Sequence, residues 1–145
     1  MKTVREVLQY KGSHVFTISP KTTVFEALKL MAEKNIGALI VTEKDRVLGI
    51  MSERDYARKV SLLGKFTRDT AVEEIMSSTI FYVGTDSHID ECMAIMINKR
   101  IRHLPVMEDG KLVGLISIGD VVKAVIDERE FVIDQLIHYI SGKPG

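Results

Sequence analysis

Gly49-Ile50-Met51-Ser52-Glu53-Arg54-Asp55 returns 65 residues later as Gly114-Leu115-Ile116-Ser117-Ile118-Gly119-Asp120. In each copy an apolar run ends in a serine, and an aspartate stands three positions on, where a helix would begin. One reading is a helix cap, in which the serine oxygen accepts from an early N–H and the acid answers the helix dipole. Aspartate is short for the reciprocal contact of such a cap, which glutamate or glutamine usually makes. The other reading is a sugar–phosphate site. A carboxylate accepts both hydroxyl protons of a ribose diol, and free N–H groups at a helix start favour a phosphate. A single copy leaves both open, and the recurrence weighs towards a ligand.

Outward from that motif, residues 17–60 align with 82–125 without a gap. Glu26/Glu91, Met31/Met96, Ile36/Ile101, Leu39/Leu104 and Val41/Val106 are identical pairs in this register. A leading segment repeats at a slightly different offset, with Val4, Glu6 and Leu8 matching Val72, Glu74 and Met76. Self-similarity over this length marks a duplicated structural unit. Within it, Val24, Ala27, Leu28 and Met31 recur at i, i+3, i+4 and i+7, as do Ile89, Cys92, Met93 and Met96. That spacing predicts a helix with one buried face in each copy.

Two apolar runs follow each helix. Ala38–Thr42 and Val47–Met51 flank Glu43-Lys44-Asp45-Arg46, and Leu104–Met107 and Leu112–Ile116 flank Glu108-Asp109-Gly110-Lys111. Asp-Gly predicts a tight hairpin, because the primed turn needs positive φ. Short strands are expected near Phe16-Thr17-Ile18 and Phe81-Tyr82-Val83, and second helices after Ser52 and Ser117. Each half therefore reads β-α-β-β-α. The expected class is α/β of the α+β type: two pseudo-twofold halves whose sheets pack together around a cleft, with added N-terminal and C-terminal helices. The expected division is 1–62 and 71–130 for the two motifs, 63–70 for a polar linker and 131–145 for a helical tail.

Composition narrows the function classes. Apolar residues make up 46% of the 145, enough for a core, and 20 basic residues balance 20 acidic ones. That balance argues against the basic stripe nucleic acid requires. One cysteine, Cys92, forms no internal disulfide, and its place on an apolar helix stripe reads as a buried thiol. The first residues lack the apolar stretch of a signal peptide, and no apolar run approaches the ~18 residues of a membrane span. A soluble cytoplasmic chain is expected, with no membrane or nucleic-acid partner. The four histidines show no ligand spacing, so no metal is expected. There is no glycine-rich phosphate loop, no G-x-S-x-G elbow and no nucleophile–base–orienter set, so no catalytic residue is assigned.

The repeat carries further matching pieces. They are Asn35-Ile36-Gly37-Ala38-Leu39-Ile40-Val41, Ser52-Glu53-Arg54-Asp55-Tyr56-Ala57-Arg58-Lys59 and Lys99-Arg100-Ile101-Arg102-His103-Leu104-Pro105-Val106, besides Gly114 to Asp120. Together they resemble a tandem cystathionine-beta-synthase (CBS) pair, or Bateman module, over nearly the whole chain. The resemblance implies an adenosine ligand such as AMP, ATP or NAD(H) in the cleft between repeats. It implies Asp55 and Asp120 on ribose, with Ser52 and Ser117 beside the ribose or phosphate. Groups near Thr17 and Ile18, and near Tyr82 and Val83, would line the adenine.

By the same resemblance Arg102 and His103 would meet phosphate, although a satisfied structural histidine is an equal reading of His103. Arg54 and Arg58, four apart on a helix, are either a solvated basic face or a phosphate fork. Gly37-Ala38 replace Arg102-His103 in the first copy, and Gly119 replaces Arg54 in the second. Unequal half-sites are expected, with the stronger at Asp120, because pseudo-twofold packing would bring Arg54 and Arg58 towards that aspartate and leave Gly119 opposite Asp55. A homodimer and a regulated partner protein are implied too. The alternatives are a structural or interaction protein without a ligand and a nucleotide-handling enzyme.

The stretch from Asp120 to Ile140 is helical in pattern and ends at Ser141-Gly142-Lys143-Pro144. Val122, Val125, Val132, Leu136 and Ile140 exceed what a short repeat helix must bury. The surplus is expected to pack on the N-terminal helix or across a dimer.

Overall fold

The computed structural model describes residues 2–62 and 64–141, apart from the side chain of Ser61. Leu63 of the expected linker and the expected stop at 142–144 lie outside the described residues. In chain order the elements are α1 (Val4–Lys11), β1 (Thr17–Ile18), α2 (Val24–Lys34), β2 (Ala38–Glu43), β3 (Arg46–Ser52) and α3 (Glu53–Asp55). A π-helical turn (Tyr56–Ser61) and a 3₁₀ turn (Val72–Glu74) follow, then α4 (Ile89–Lys99), β4 (His103–Glu108), β5 (Lys111–Ser117) and α5 (Ile118–Ser141).

Two compact units result, and they are cut differently from the sequence repeats. One comprises His14–Phe81 and Asp109–Val113, and the other Met1–Ser13, Tyr82–Glu108 and Gly114–Gly145. Each leading segment therefore joins the unit built on the other repeat.

In the first unit β1 runs parallel to β2, with Thr17 opposite Ile40, and β2 runs antiparallel to β3, with Ala38 opposite Ser52. Lys44 and Asp45 both take positive φ, so this hairpin uses the same kind of primed turn as Asp109-Gly110 without its glycine. Thr23 caps α2 by accepting from the N–H of Glu26, and Asn35 ends it in the left-handed region. The buried face of α2, Val24, Ala27 and Met31, packs with Leu39, Val41, Met51, Val60, Val72 and Ile75. Within the expected linker the carbonyls of Thr70 and Thr67 accept from Val24 and Phe25, satisfying the start of α2. Beyond it, Ala71 bridges Thr23, and Ser77 exchanges two hydrogen bonds with Ile50 on the edge of β3.

The second unit repeats this plan with differences. Ile89, Cys92 and Met96 are the buried face of α4, and Leu104, Val106 and Ile116 are buried with them. The third strand shrinks to one rung, where Val83 bridges Val106 in parallel. Its leader is α1, capped by Thr3, which also bridges His88. Val4, Val7 and Leu8 are its buried face.

The second helices diverge most. After Ser117, α5 runs unbroken for 24 residues. After Ser52 the helix is three residues long and opens into the π turn. Of α5 only Val121 and Ala124 are buried. It packs against α4, and its Lys123 donates to the Tyr10 hydroxyl of α1. The tail does not pack within the chain as one of the two expectations had it: Val132, Leu136 and Ile140 are 51%, 55% and 81% exposed.

Candidate functional site

Both Ser-x-x-Asp motifs form at the starts of helices, and each makes the reciprocal cap that the short aspartate seemed unable to reach. In the first unit Ser52 N–H donates to Asp55 Oδ2 at 2.9 Å while Asp55 N–H donates to Ser52 Oγ at 3.3 Å. In the second, Ser117 N–H donates to Asp120 Oδ2 at 2.8 Å and Asp120 N–H to Ser117 Oγ at 3.2 Å. The expectation that aspartate falls short is corrected. The extended φ/ψ of the N-cap Ser52 folds its own N–H back towards the carboxylate, so one methylene fewer is enough.

The helix starts are pinned from the neighbouring strand. Glu53 N–H donates to the carbonyl of Gly37 at 3.1 Å, and Ile118 N–H donates to the carbonyl of Arg102 at 2.8 Å. Position 102 thus has its backbone against the first turn of α5, and its exposed side chain leaves from there. The equivalent place in the first unit carries glycine.

The surroundings of the two aspartates differ. Asp55 has Lys59 at 3.6 Å, one turn along its own helix, and Lys59 also donates to the carbonyl of Ile75 at 2.9 Å. Asp120 has Lys11 from α1, whose ammonium lies 2.6 Å from Oδ2 and 2.9 Å from the carbonyl of Leu115. Burial opposes ionisation of Asp120. Hydrogen bonds from Lys11 and from Ser117, with the Lys11 charge, outweigh it and hold the carboxyl below its ordinary value.

His103 is pushed down to about 4, first by burial and then by the charge of Lys11, with Asp120 opposing and Arg102 adding a little. Near neutral pH it is an uncharged imidazole, so the positive charge acting on Asp120 comes from Lys11, with Lys123 interacting with it as well.

Of the other expected residues, Thr17 and Arg58 are exposed, and Ile18 and Arg54 are partly buried. Tyr82 is 64% exposed and Val83 is 6% exposed. The N–H of Val83 donates to Pro105, and its carbonyl accepts from Met107, so both main-chain groups are taken by the ladder. The second unit brings Ser117, Asp120, Arg102 and His103 together, and the first brings Ser52 and Asp55 together. Lys11 was not legible in the motifs, because 109 residues separate it from Asp120. The only hint was a lysine closing the leader before Gly12.

Cys92 is fully buried, and burial pushes its thiol up to about 11, as a structural cysteine requires. No helix among the described residues is long and apolar enough to cross a membrane.

Comparison with known proteins fits this geometry. The CBS domain family model matches twice, over residues 4–62 and 72–127, and the chain belongs to that family. A mitochondrial CBS domain-containing protein of Arabidopsis thaliana, CBSX3, is 35% identical over 149 residues, covering 97% of this chain and 72% of its own. A solved CBS-domain protein from Burkholderia ambifaria MC40-6, described as a putative signal-transduction protein, is 50% identical. It superposes with a TM-score of 0.85, covering 87% of this chain and 95% of its own. The CBS domain pair of protein MJ0100, solved with 5-methylthioadenosine and S-adenosyl-L-methionine, shares the fold at 21% identity. Its TM-score is 0.77, with 88% of this chain and 98% of that chain covered.

Proposed function

We propose that this chain is an adenine-nucleotide-binding regulatory module, taking AMP, ATP or NAD(H), that modulates a partner protein and does no chemistry on its ligand. One observation carries the reading. Asp120 is kept ionised at a helix start, beside Ser117, with the backbone of Arg102 and a neutral His103 against the same turn. A ribose diol would donate to the carboxylate, while Arg102 and the helix start would meet the phosphate. The adenine would lie against Tyr82, since Val83 has no main-chain group to offer. The adenosine compounds bound by MJ0100, which has the same fold, support this ligand class. Asp55 would hold a second, weaker site with Ser52, Thr17 and Ile18.

Thermal melting against AMP, ADP, ATP and NAD(H) tests the proposal. At about 100 times Kd, linkage supplies ~2.7 kcal/mol. For a chain of this size that is a rise of roughly 5–10 °C. No rise with any of them at millimolar concentration contradicts it, and steady turnover by clean protein would make the chain an enzyme. The rival reading, an interaction protein without a ligand, draws on one observation: both aspartates already have capping and lysine partners.

We also propose that the module pairs with a second copy through α5. Nine of its large apolar residues are 49% to 85% exposed. Val122, Ile126, Ile133, Leu136, Ile137 and Ile140 fall on one stripe, spaced as a helix pair needs. At ~25 cal/mol/Å², the ~1.5–3 kcal/mol of a buried apolar side chain is ~60–120 Å², so this set offers roughly 500 Å². That is the apolar share, about 65%, of an ~800 Å² dimer face.

A further inference from the structure

The ammonium of Lys11 occupies the carboxylate that the ribose reading needs. It donates to Asp120 Oδ2 at 2.6 Å, and Ser117 N–H already takes the same oxygen at 2.8 Å. A diol that binds both oxygens of Asp120 must therefore move Lys11 aside. The backbone of Lys11 is fixed, because α1 buries Val4, Val7 and Leu8, and Tyr10 beside it is tied to Lys123 at 2.9 Å. Its side chain is not fixed in the same way: it is 34% exposed, on a flexible four-carbon stem. The displaced ammonium can keep the Leu115 carbonyl but loses its counter-ion, a role that a phosphate on the same ligand would fill.

We propose that Lys11 makes the Asp120 half-site select phosphorylated nucleosides over bare nucleosides. The proposal rests on Asp120 being the ribose carboxylate. A nucleoside takes the carboxylate and gives Lys11 nothing in return. A nucleoside monophosphate takes the carboxylate and supplies a phosphate, so Lys11 trades one charge-assisted partner for another. The first unit has no leader lysine: Thr79 stands three residues after Met76 as Lys11 stands three after Leu8, and the lysine beside Asp55 is Lys59 of the following turn, at the longer distance of 3.6 Å. Selection by a displaced leader lysine is therefore a feature of the Asp120 half-site.

The test is calorimetric titration of the full chain, and of Lys11→Met and Lys11→Arg, with AMP and with adenosine. In Lys11→Met the apolar stem stays and the charge goes. AMP affinity is expected to fall about tenfold, the scale of one charge-assisted hydrogen bond. Adenosine affinity is expected to rise, because nothing has to vacate Asp120. Lys11→Arg is expected to keep the preference for AMP. An unchanged AMP-to-adenosine ratio in Lys11→Met overturns the proposal even if both ligands weaken, since a loosened α1 would weaken both alike. If the unaltered chain binds neither ligand, the ribose reading fails and the assignment of Lys11 fails with it.

Discussion

Leu8 rests on Gly114 so closely that a β-carbon at 114 would stand 2.7 Å from Leu8 Cδ2. In the other unit a β-carbon at Gly49 would stand 2.7 Å from Met76 Sδ and 2.8 Å from the carbonyl oxygen of Ser77. The glycine that opens each Gly-x-x-Ser-x-x-Asp motif thus has a packing duty: it admits the leading segment of the other repeat. The serine and aspartate do the work at the helix start.

These contacts separate two glycine substitutions. Gly114→Ala is expected to cost ~1–3 kcal/mol as overpacking, and much less when Leu8 is already alanine. Gly49→Ala is expected to cost at least as much and to stay costly in Met76→Ala, because the Ser77 carbonyl is backbone and cannot be trimmed. Urea unfolding of the two double-mutant cycles checks this. Equal rescue in both would contradict the close approach at Ser77.

His103 predicts an acid-sensitive step. Its folded value, about 4, lies below the ordinary 6.5, so the unfolded chain takes the proton first as pH falls. The stability it contributes is complete above 6.5 and is lost between 6.5 and about 4, up to ~3 kcal/mol. Asp120 is also depressed, so its contribution is lost only at lower pH, below the ordinary carboxylate value. His103→Gln should flatten the melting temperature between pH 6.5 and 4 relative to the unaltered chain. The same slope in both would show that His103 takes its proton as easily folded as unfolded.

The exposed stripe of α5 predicts self-association. Light scattering at micromolar concentration should give about twice the 16.3 kDa chain mass. Ile133→Glu with Leu136→Glu should return it to one chain without lowering the melting temperature of dilute protein. A monomer at every accessible concentration would contradict the pairing.

Much of the fold was legible because the chain is written twice. The i, i+3, i+4, i+7 faces of α2 and α4 and the runs around Asp109-Gly110 each had a second copy to check them against. The Ser/Asp pairs were legible for the same reason. What was not legible came from long-range exchange. Nothing local in Thr3 to Lys11 says that this leader pairs with His88 and reaches Asp120, because the partners lie far along the chain. The capping geometry was not legible for a different reason. The reach of the carboxylate depends on the fold-back of the serine N–H as well as on side-chain length. The divergence of the second helices, with a π turn after Asp55 and 24 unbroken residues after Ser117, also escaped the repeat logic. Similar apolar spacing permits either outcome.

The most direct measurement is calorimetric titration of AMP into the unaltered chain, Asp120→Ala and Asp55→Ala. Asp120 has Lys11 at 2.6 Å and Arg102 just before β4, whereas Asp55 has glycine at the position of Arg102 and Lys59 at 3.6 Å. A charge-assisted hydrogen bond contributes ~1.5–3 kcal/mol, so its loss weakens binding about tenfold or more. Asp120→Ala is expected to weaken binding by at least that factor and Asp55→Ala far less. Binding abolished by Asp55→Ala and untouched by Asp120→Ala would invert the assignment. Binding indifferent to both would leave the two motifs as helix caps and contradict their role in holding ribose.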